Sequence, residues 1–451
     1  MQPATHATMT GDEIVALCKQ HTLFEWSAQA NVNPIPVARA KGVYFWDADG
    51  KRYLDFNSQL MCVNIGHGDE RVIRAIQEQA ERLCYVHPAM ATEPRARLGE
   101  MLSRIAPGDL NHAFFTTGGA ESDEHAIRMA RSVTGRQKII TRYRSYHGAT
   151  GGAASLTGEP RRWAAEPGLP GIVRVLDPHR YRCSFCKQLP ACTLDCLNHV
   201  EEVIQYEGPH TIAAVLVESV VGTNGIIIPP DGYIQGLREL CSRHGILLIC
   251  DEVMSGFGRT GEWFAVNHWN VVPDIMTMAK GLTSAYLPMG AIMVNDAVAE
   301  HYQTNVLASG LTYGAHPLSC AAAIAAINVY EEDGLIENAR RMGRVLGTAL
   351  EDLKDRHQSI GDVRYIGLFA VIELVKDRAT REPLVPFNAA PNQTGAMAML
   401  GAHLRENGLF TFLRWNSFFC NPPLCITEEE LHEGIEIIDR GLDITDAEVA
   451  G

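Results

Sequence analysis

Asp251 and Lys280 are the residues of this sequence best placed to do chemistry on a small molecule. Asp251 closes the apolar run Ile246–Cys250, which predicts a strand with the carboxylate at its carboxyl end. A carboxylate there can keep a pyridine nitrogen protonated, and a protonated pyridine ring is an electron sink for a substrate carbanion. Asp also favours helix N-caps, so the position has a purely structural reading too. Lys280 follows the apolar run Ile275–Met278, in Thr277-Met-Ala-Lys-Gly281. A lysine in apolar surroundings loses its proton readily and forms a Schiff base with an aldehyde. Lysine beside glycine is common, and a solvated surface lysine is the plain alternative.

Three further segments fit a flat, phosphorylated ligand. Thr116-Thr-Gly-Gly-Ala-Glu-Ser122 falls between a predicted strand and a predicted helix. Small residues there let the backbone approach a phosphate, and the helix N-terminus offers N–H donors, although a tight turn explains the glycines equally well. Tyr146, in Tyr-His-Gly148, could stack on a planar ring or simply pack in the core. Glu218 ends the run Ile212–Val217, again at a strand's carboxyl end.

These residues need a sheet to converge. From about residue 110 to 330, short apolar runs alternate with helical patterns, as in 121–134 and 231–244. His112–Phe115, Lys138–Thr141, Ile212–Val217, Ile246–Cys250, Ile275–Met278 and Ala291–Val294 are the strand candidates. Such alternation predicts an α/β domain with a mainly parallel sheet, whose ligands sit at the carboxyl ends of the strands. Upstream, Val43–Trp46 and Tyr53–Phe56 flank Asp47-Ala-Asp-Gly50 and predict a hairpin. Residues 70–84 carry helical periodicity. The last helix opens on a capping box, Thr427 with Glu430, and places Leu431, Ile435, Ile438 and Leu442 on one face. Expected boundaries are 1–75 for an N-terminal segment joining the small domain, 76–330 for the large domain and 331–451 for a smaller C-terminal α+β domain.

Composition narrows the class. The chain has 451 residues, 46% hydrophobic and 20% charged, with a formal charge of −14. That acidity argues against nucleic acid or an anionic membrane as partner. No apolar stretch approaches the roughly 20 residues of a spanning helix. Residues 1–20 lack the basic start and apolar run of a secretory signal, and the scattered cysteines suggest a reducing, cytoplasmic setting.

Taken together, the motifs are far more specific than any one of them. Asp251-Glu-Val-Met-Ser-Gly-Phe-Gly-Arg-Thr-Gly261 followed by Pro273-Asp-Ile-Met-Thr-Met-Ala-Lys-Gly281 resembles the signature of class III pyridoxal-phosphate aminotransferases. The likeness extends in order over Gly118–Arg131, Tyr146–Gly148, Val217–Gly225, Gly310–Pro317 and Pro422–Thr427. The resemblance implies the type I aminotransferase fold, a homodimer (possibly a tetramer) with active sites at the subunit interface, and pyridoxal 5'-phosphate as cofactor. It implies that Lys280 carries the cofactor and shuttles the proton, and that Asp251 pairs with the ring nitrogen. Val253 would pack under the ring, Tyr146 over it, and Glu218 near the cofactor hydroxyl. Gly119 and Ala120 would hold the phosphate through backbone N–H groups, and Thr312 would reach the phosphate of the neighbouring subunit.

Departures from the family point to the substrate. Members that admit 2-oxoglutarate through an arginine–glutamate gate carry arginine where this chain has Phe419, and glutamate where it has Thr223. A buried carboxylate still needs a cation. Arg414, in Thr411-Phe-Leu-Arg-Trp-Asn416, is the candidate, in a stretch similar to taurine–pyruvate and related ω-amino acid aminotransferases. Leu60 and Met61 fall where the family lines the donor pocket. The expected substrates are an ω-amino acid, amino sulfonate or amine (taurine or β-alanine type) and an oxo acid, with pyruvate as the expected acceptor and 2-oxoglutarate as the alternative. An aminomutase or racemase of the same family shares the core residues and differs in needing no separate acceptor. A nicotinamide oxidoreductase is disfavoured, because the Gly118-Gly119 turn lacks the G-x-G-x-x-G spacing and a following acidic residue.

Cys183, Cys186, Cys192 and Cys196 form a C-x2-C-x5-C-x3-C cluster in what looks like an insertion. Four thiolates suit zinc, but zinc ligand pairs are usually further apart in sequence. Ordinary packed thiols, with no metal, are therefore expected.

Overall fold

A computed structural model describes residues 9–186, 191–390 and 393–449. The expectations for the few remaining positions, including the first eight of the N-terminal stretch, lie outside the described residues.

The core is a seven-stranded sheet in the order Leu110–Thr116, Gly290–Asn295, Ile275–Met278, Leu247–Asp251, Ile212–Glu218, Lys138–Arg142, Ile172–Val175. All strands run parallel except Gly290–Asn295, which is antiparallel to both neighbours. The chain is therefore an α/β protein with a parallel-dominated sheet, as the alternating runs predict. Each expected strand is present, with ends moved by a residue or two.

Both faces of this sheet are covered. Every residue of Ile212–Glu218 is buried, which is why its sequence is an unbroken apolar run rather than an alternation. Successive side chains enter opposite layers, as strand geometry demands. Leu248 and Cys250 join the larger core with Val215 and Met276, while Ile249 packs on the other side with Ile127, Ile139 and Leu216.

Two smaller sheets flank the large one. In the first, Tyr44–Asp47 and Arg52–Asp55 form the expected hairpin around Gly50, whose φ of +87° suits glycine. Leu409–Phe410 adds to it in parallel, so residues near the N-terminus pair with residues near the C-terminus. The second contains Ile360–Ile366, Phe369–Asp377, Ser417–Cys420 and Leu413–Arg414. The last helix, Glu428–Asp446, has both bonds of its capping box: Glu430 N–H to Thr427 Oγ1 at 3.2 Å and Thr427 N–H to the Glu430 carboxylate at 2.9 Å.

The four clustered cysteines are free thiols, Cys183 and Cys196 buried and the other two half-buried. The backbone N–H of Cys186 donates to Cys183 Sγ at 3.4 Å. Cys186 and Cys192 border a cavity of about 450 Å³ with Ile227 and Arg364; none of the residues expected to do chemistry lines it.

Candidate active site

The strand ends at Thr116, Glu218, Asp251 and Met278 bring the expected residues to one cleft. This cavity of about 440 Å³ is lined by Gly119, Ala120, Tyr146, Glu218, Asp251, Val253 and Lys280. Seven of the ten residues singled out from the sequence thus share one space. Leu60, Thr312 and Arg414 are not among its lining residues.

At one end, the helix Gly119–Thr134 begins with no side-chain cap. Its first free N–H groups therefore face the cleft with no acceptor of their own, an arrangement suited to a phosphate. Space is tight: a Cβ on Gly119 would lie 2.8 Å from Val253 Cγ1, and one on Gly148 would lie 2.4 Å from Ala120 Cβ. Bare backbone here lets an anion approach the helix end.

At the centre, Asp251 is nearly fully buried. One oxygen accepts the Val253 N–H at 2.9 Å, and the other contacts His147 Nδ1 at 2.8 Å. The His147 backbone N–H in turn donates to Thr157 Oγ1 at 3.0 Å, which fixes the imidazole behind the carboxylate. Asp123 adds a second buried carboxylate, 3.8 Å from His147 Nδ1. One of its oxygens accepts from Thr277 Oγ1 at 2.8 Å and the other has no partner. Burial, then the nearby Asp251 charge, push the Asp123 carboxyl well above the usual carboxylate range. Of the two carboxylates, Asp251 and not Asp123 lines the cleft. Sequence reasoning missed Asp123. Its signal was present, since it shares an otherwise apolar helix face with Ala126, Ile127 and Ala130.

Glu218 accepts from Gly222 N–H at 2.7 Å and Tyr146 N–H at 3.1 Å. Burial outweighs these bonds and raises its carboxyl.

Lys280 lies just beyond the strand Ile275–Met278, with a φ of +37°. A non-glycine residue in that region is strained, and such strain persists where surrounding structure fixes it. Among the described residues no carboxylate forms an ion pair with Lys280. Burial lowers its ammonium below the ordinary lysine value, chiefly by desolvation. The result is an amine ready to act as nucleophile and base.

Three expected residues lie elsewhere. Leu60 is 59% exposed, on a backbone turned outward at Ser58, Gln59 and Met61, all with positive φ. Met61 beside it is buried, so neither enters the cleft as a donor-pocket wall within this chain. Thr312 is exposed, and its carbonyl accepts from Tyr85 Oη at 2.9 Å. Arg414 stands back from the cleft, tied to Glu159 Oε2 at 2.6 Å. Burial, reinforced by neighbouring Arg161, lowers its guanidinium to about 10. Neither Glu159 nor Arg161 was singled out from the sequence, because the turn Gly158-Glu-Pro-Arg161 carries no periodicity or motif.

The residues fit pyridoxal phosphate: a buried lysine with no ion pair among the described residues, a buried carboxylate, Tyr146 and Val253 to hold a planar ring, and uncapped N–H groups at one end.

Comparisons with known proteins agree. The profile for Aminotransferase class-III matches residues 26–442. The crystal structure of a taurine:2-oxoglutarate aminotransferase from Bifidobacterium kashiwanohense, in complex with PLP and glutamate, superposes with a TM-score of 0.95 at 42% identity, covering 99% of this chain and 100% of that one. The taurine–pyruvate aminotransferase of Bilophila wadsworthia is 34% identical over 95% of this chain and 96% of its own length. The leucine/methionine racemase of Thermococcus litoralis is 33% identical, over 96% of each. The chain therefore belongs to the class III aminotransferases, enzymes that depend on pyridoxal phosphate.

Proposed function

We propose that this enzyme moves the amino group of an ω-amino acid or ω-amino sulfonate, of the taurine or β-alanine kind, to an oxo acid, with pyruvate as the acceptor. The observation that carries this reading is the replaced gate. Phe419 is fully buried in the strand Ser417–Cys420, its ring 5.4 Å from Phe412, and offers no charge. Thr223 lines the cleft in place of a carboxylate. The cation for an acidic substrate must then come from elsewhere, and the candidate is Arg414, held beside the cleft on Glu159 together with Arg161. The 34% identity to a taurine–pyruvate aminotransferase supports the same choice. A second reading, 2-oxoglutarate as acceptor, is favoured by the 42% identical taurine:2-oxoglutarate aminotransferase.

The bound cofactor supplies an electron sink for the donor carbon. The roles follow from what each residue faces. Lys280 is the covalent anchor, and its uncharged Nζ removes the proton from the amine-bearing carbon of the donor. In the second half-reaction it returns a proton to the former oxo carbon of the acceptor. Asp251, oriented by His147 and the Val253 N–H, holds the proton on the ring nitrogen. Tyr146 and Val253 confine the ring, Glu218 faces the hydroxyl side, and the N–H groups of Gly119 and Ala120 hold the phosphate. Thr312, exposed and outside the cleft, would complete the phosphate end from a second copy, so the active unit is a homodimer. We assign the described residues of the N-terminal segment 1–75 and of 331–451 to a small domain, and those of 76–330 to the large domain.

The test is a titration of cofactor-loaded enzyme with taurine, β-alanine, 4-aminobutyrate, alanine and 1-phenylethylamine, one at a time and without acceptor. Loss of the visible cofactor band with an acidic ω-donor, and its return with pyruvate but not 2-oxoglutarate, is the expected result. Return with 2-oxoglutarate alone selects the second reading. Conversion of an α-amino acid with no acceptor at all would instead identify a racemase.

A further inference from the structure

Beside the cleft, two guanidinium groups converge on one carboxylate. Glu159 follows the helix Gly151–Leu156, and its carboxylate is completely buried. Arg414 donates to Glu159 Oε2 at 2.6 Å, and Arg161 Nε donates to Glu159 Oε1. Both arginine side chains are 16% exposed. Among the described residues, Glu159 is the only carboxylate in an ion pair with either. One positive charge is therefore unmatched in a nearly closed setting, and an unmatched buried charge costs several kcal/mol. Arg414 Nε is also buried with no hydrogen-bond partner.

The surplus charge lies against two residues of the cleft wall. Arg161 Cζ lies 3.5 Å above the centroid of the Tyr146 ring, and its Nη2 donates to Thr223 Oγ1 at 3.0 Å. Tyr146 and Thr223 both line the cleft. Stacking on an aromatic face and a hydroxyl anchor hold the guanidinium plane in place; Nε is committed to Glu159 and Nη2 to Thr223, which leaves Nη1 as the donor for a carboxylate or sulfonate.

We propose that Arg161 is the fixed cation that receives the acidic group of the substrate, and that Glu159 is the internal counter-anion that sets how tightly it does so. The proposal rests on the acidic-substrate reading above. Arg414 shares the single Glu159 carboxylate with Arg161 and offers its free Nε–H as a second donor. Charge balance then fixes the signs. Removing Arg161 weakens acidic ligands. Removing the Glu159 charge strengthens them. Neutral amines respond to neither.

The experiment uses the cofactor-loaded enzyme and two kinds of probe. Propanoate and ethanesulfonate, which carry no amine, report anion binding through the cofactor absorption; β-alanine and 1-phenylethylamine report the donor half-reaction. Arg161→Met is expected to weaken both anions and β-alanine at least tenfold and to leave 1-phenylethylamine within twofold; Arg161→Lys recovers part of the loss. Glu159→Gln is expected to tighten the anions several-fold. Equal losses for β-alanine and 1-phenylethylamine in Arg161→Met, with no recovery by lysine, would overturn the proposal in favour of Arg161 merely propping Tyr146. Unchanged anion binding in Arg161→Met would also overturn it. Wild-type enzyme that binds the anions through Arg161 but turns over no acidic amine would sink the substrate reading and leave the anion site standing.

Discussion

The cofactor cleft and the arginine wall beside it are built in opposite ways. Asp251, Lys280 and Glu218 each end or follow a strand of one sheet, and the helix starting at Gly119 follows another. Hydrogen-bond register fixes their spacing: Glu218 pairs with Asp251, and Asp251 with Thr277. The wall instead joins a turn at Glu159–Arg161 to a two-residue strand at Leu413–Arg414, with no sheet register between them. Its geometry depends on ion pairs and on the aromatic faces of Tyr146, Trp26 and Trp415. A site set by register should tolerate change at its margins and fail only at its chemical groups. A site set by charge should shift its specificity with each charge altered.

Perturbations of the cleft should therefore give the largest effects. Lys280→Ala removes anchor and base together. Loss of a positioned base alone slows turnover by about 10²–10⁴-fold, and steady-state rates should fall at least that far, with no borohydride-reducible cofactor bond. Asp251→Asn removes the charge behind the ring nitrogen. Breaking a buried charge pair costs about 3–5 kcal/mol, so the half-reaction with every donor should slow by roughly 10²–10⁴-fold, measured by stopped-flow absorption.

The wall should respond selectively. Arg414→Ala is expected to raise the apparent KM for taurine and β-alanine by about tenfold or more, the scale of a charge-assisted hydrogen bond, while 1-phenylethylamine is unaffected. Unchanged affinity for the acidic donors would remove Arg414 from substrate recognition and narrow the contrast between the regions.

pH separates them further. Lys280 acts as the free amine, and its ammonium titrates below the ordinary value of 10.5 because burial disfavours the charged form. Cofactor capture by cofactor-free enzyme should rise with pH as that proton leaves and level off below pH 10.5. A rise continuing to the ordinary lysine range would mean that Nζ is solvated. The smallest effect is expected far from both regions. Thr427→Ala removes one half of the last helix's capping box and should cost about 1 kcal/mol of stability, seen in denaturant unfolding with activity intact.

How much of this was legible in the sequence follows the same division. Strands and helices have periods of their own, so apolar runs located the sheet, and strand ends located Asp251, Glu218 and Lys280. The capping box at Thr427 is local chemistry and was read in full. Asp123 was legible in principle, as a charge on an apolar helix face, but nothing in the sequence says that it faces His147. Leu60 illustrates the limit of position alone: Ser58, Gln59 and Met61 around it have positive φ, Leu60 itself is exposed, and no pattern announces that backbone.

By itself the sequence determined the order of elements, the groups at the strand ends and the presence of Arg414, because each depends on neighbours a few residues away. Only the tertiary structure decided that Glu159 binds Arg414, that Arg161 lies on Tyr146 and that the wall carries one unmatched charge. The Glu159–Arg414 pair joins segments more than two hundred residues apart, and which long-range ion pair forms depends on how whole layers pack, not on any period in the chain.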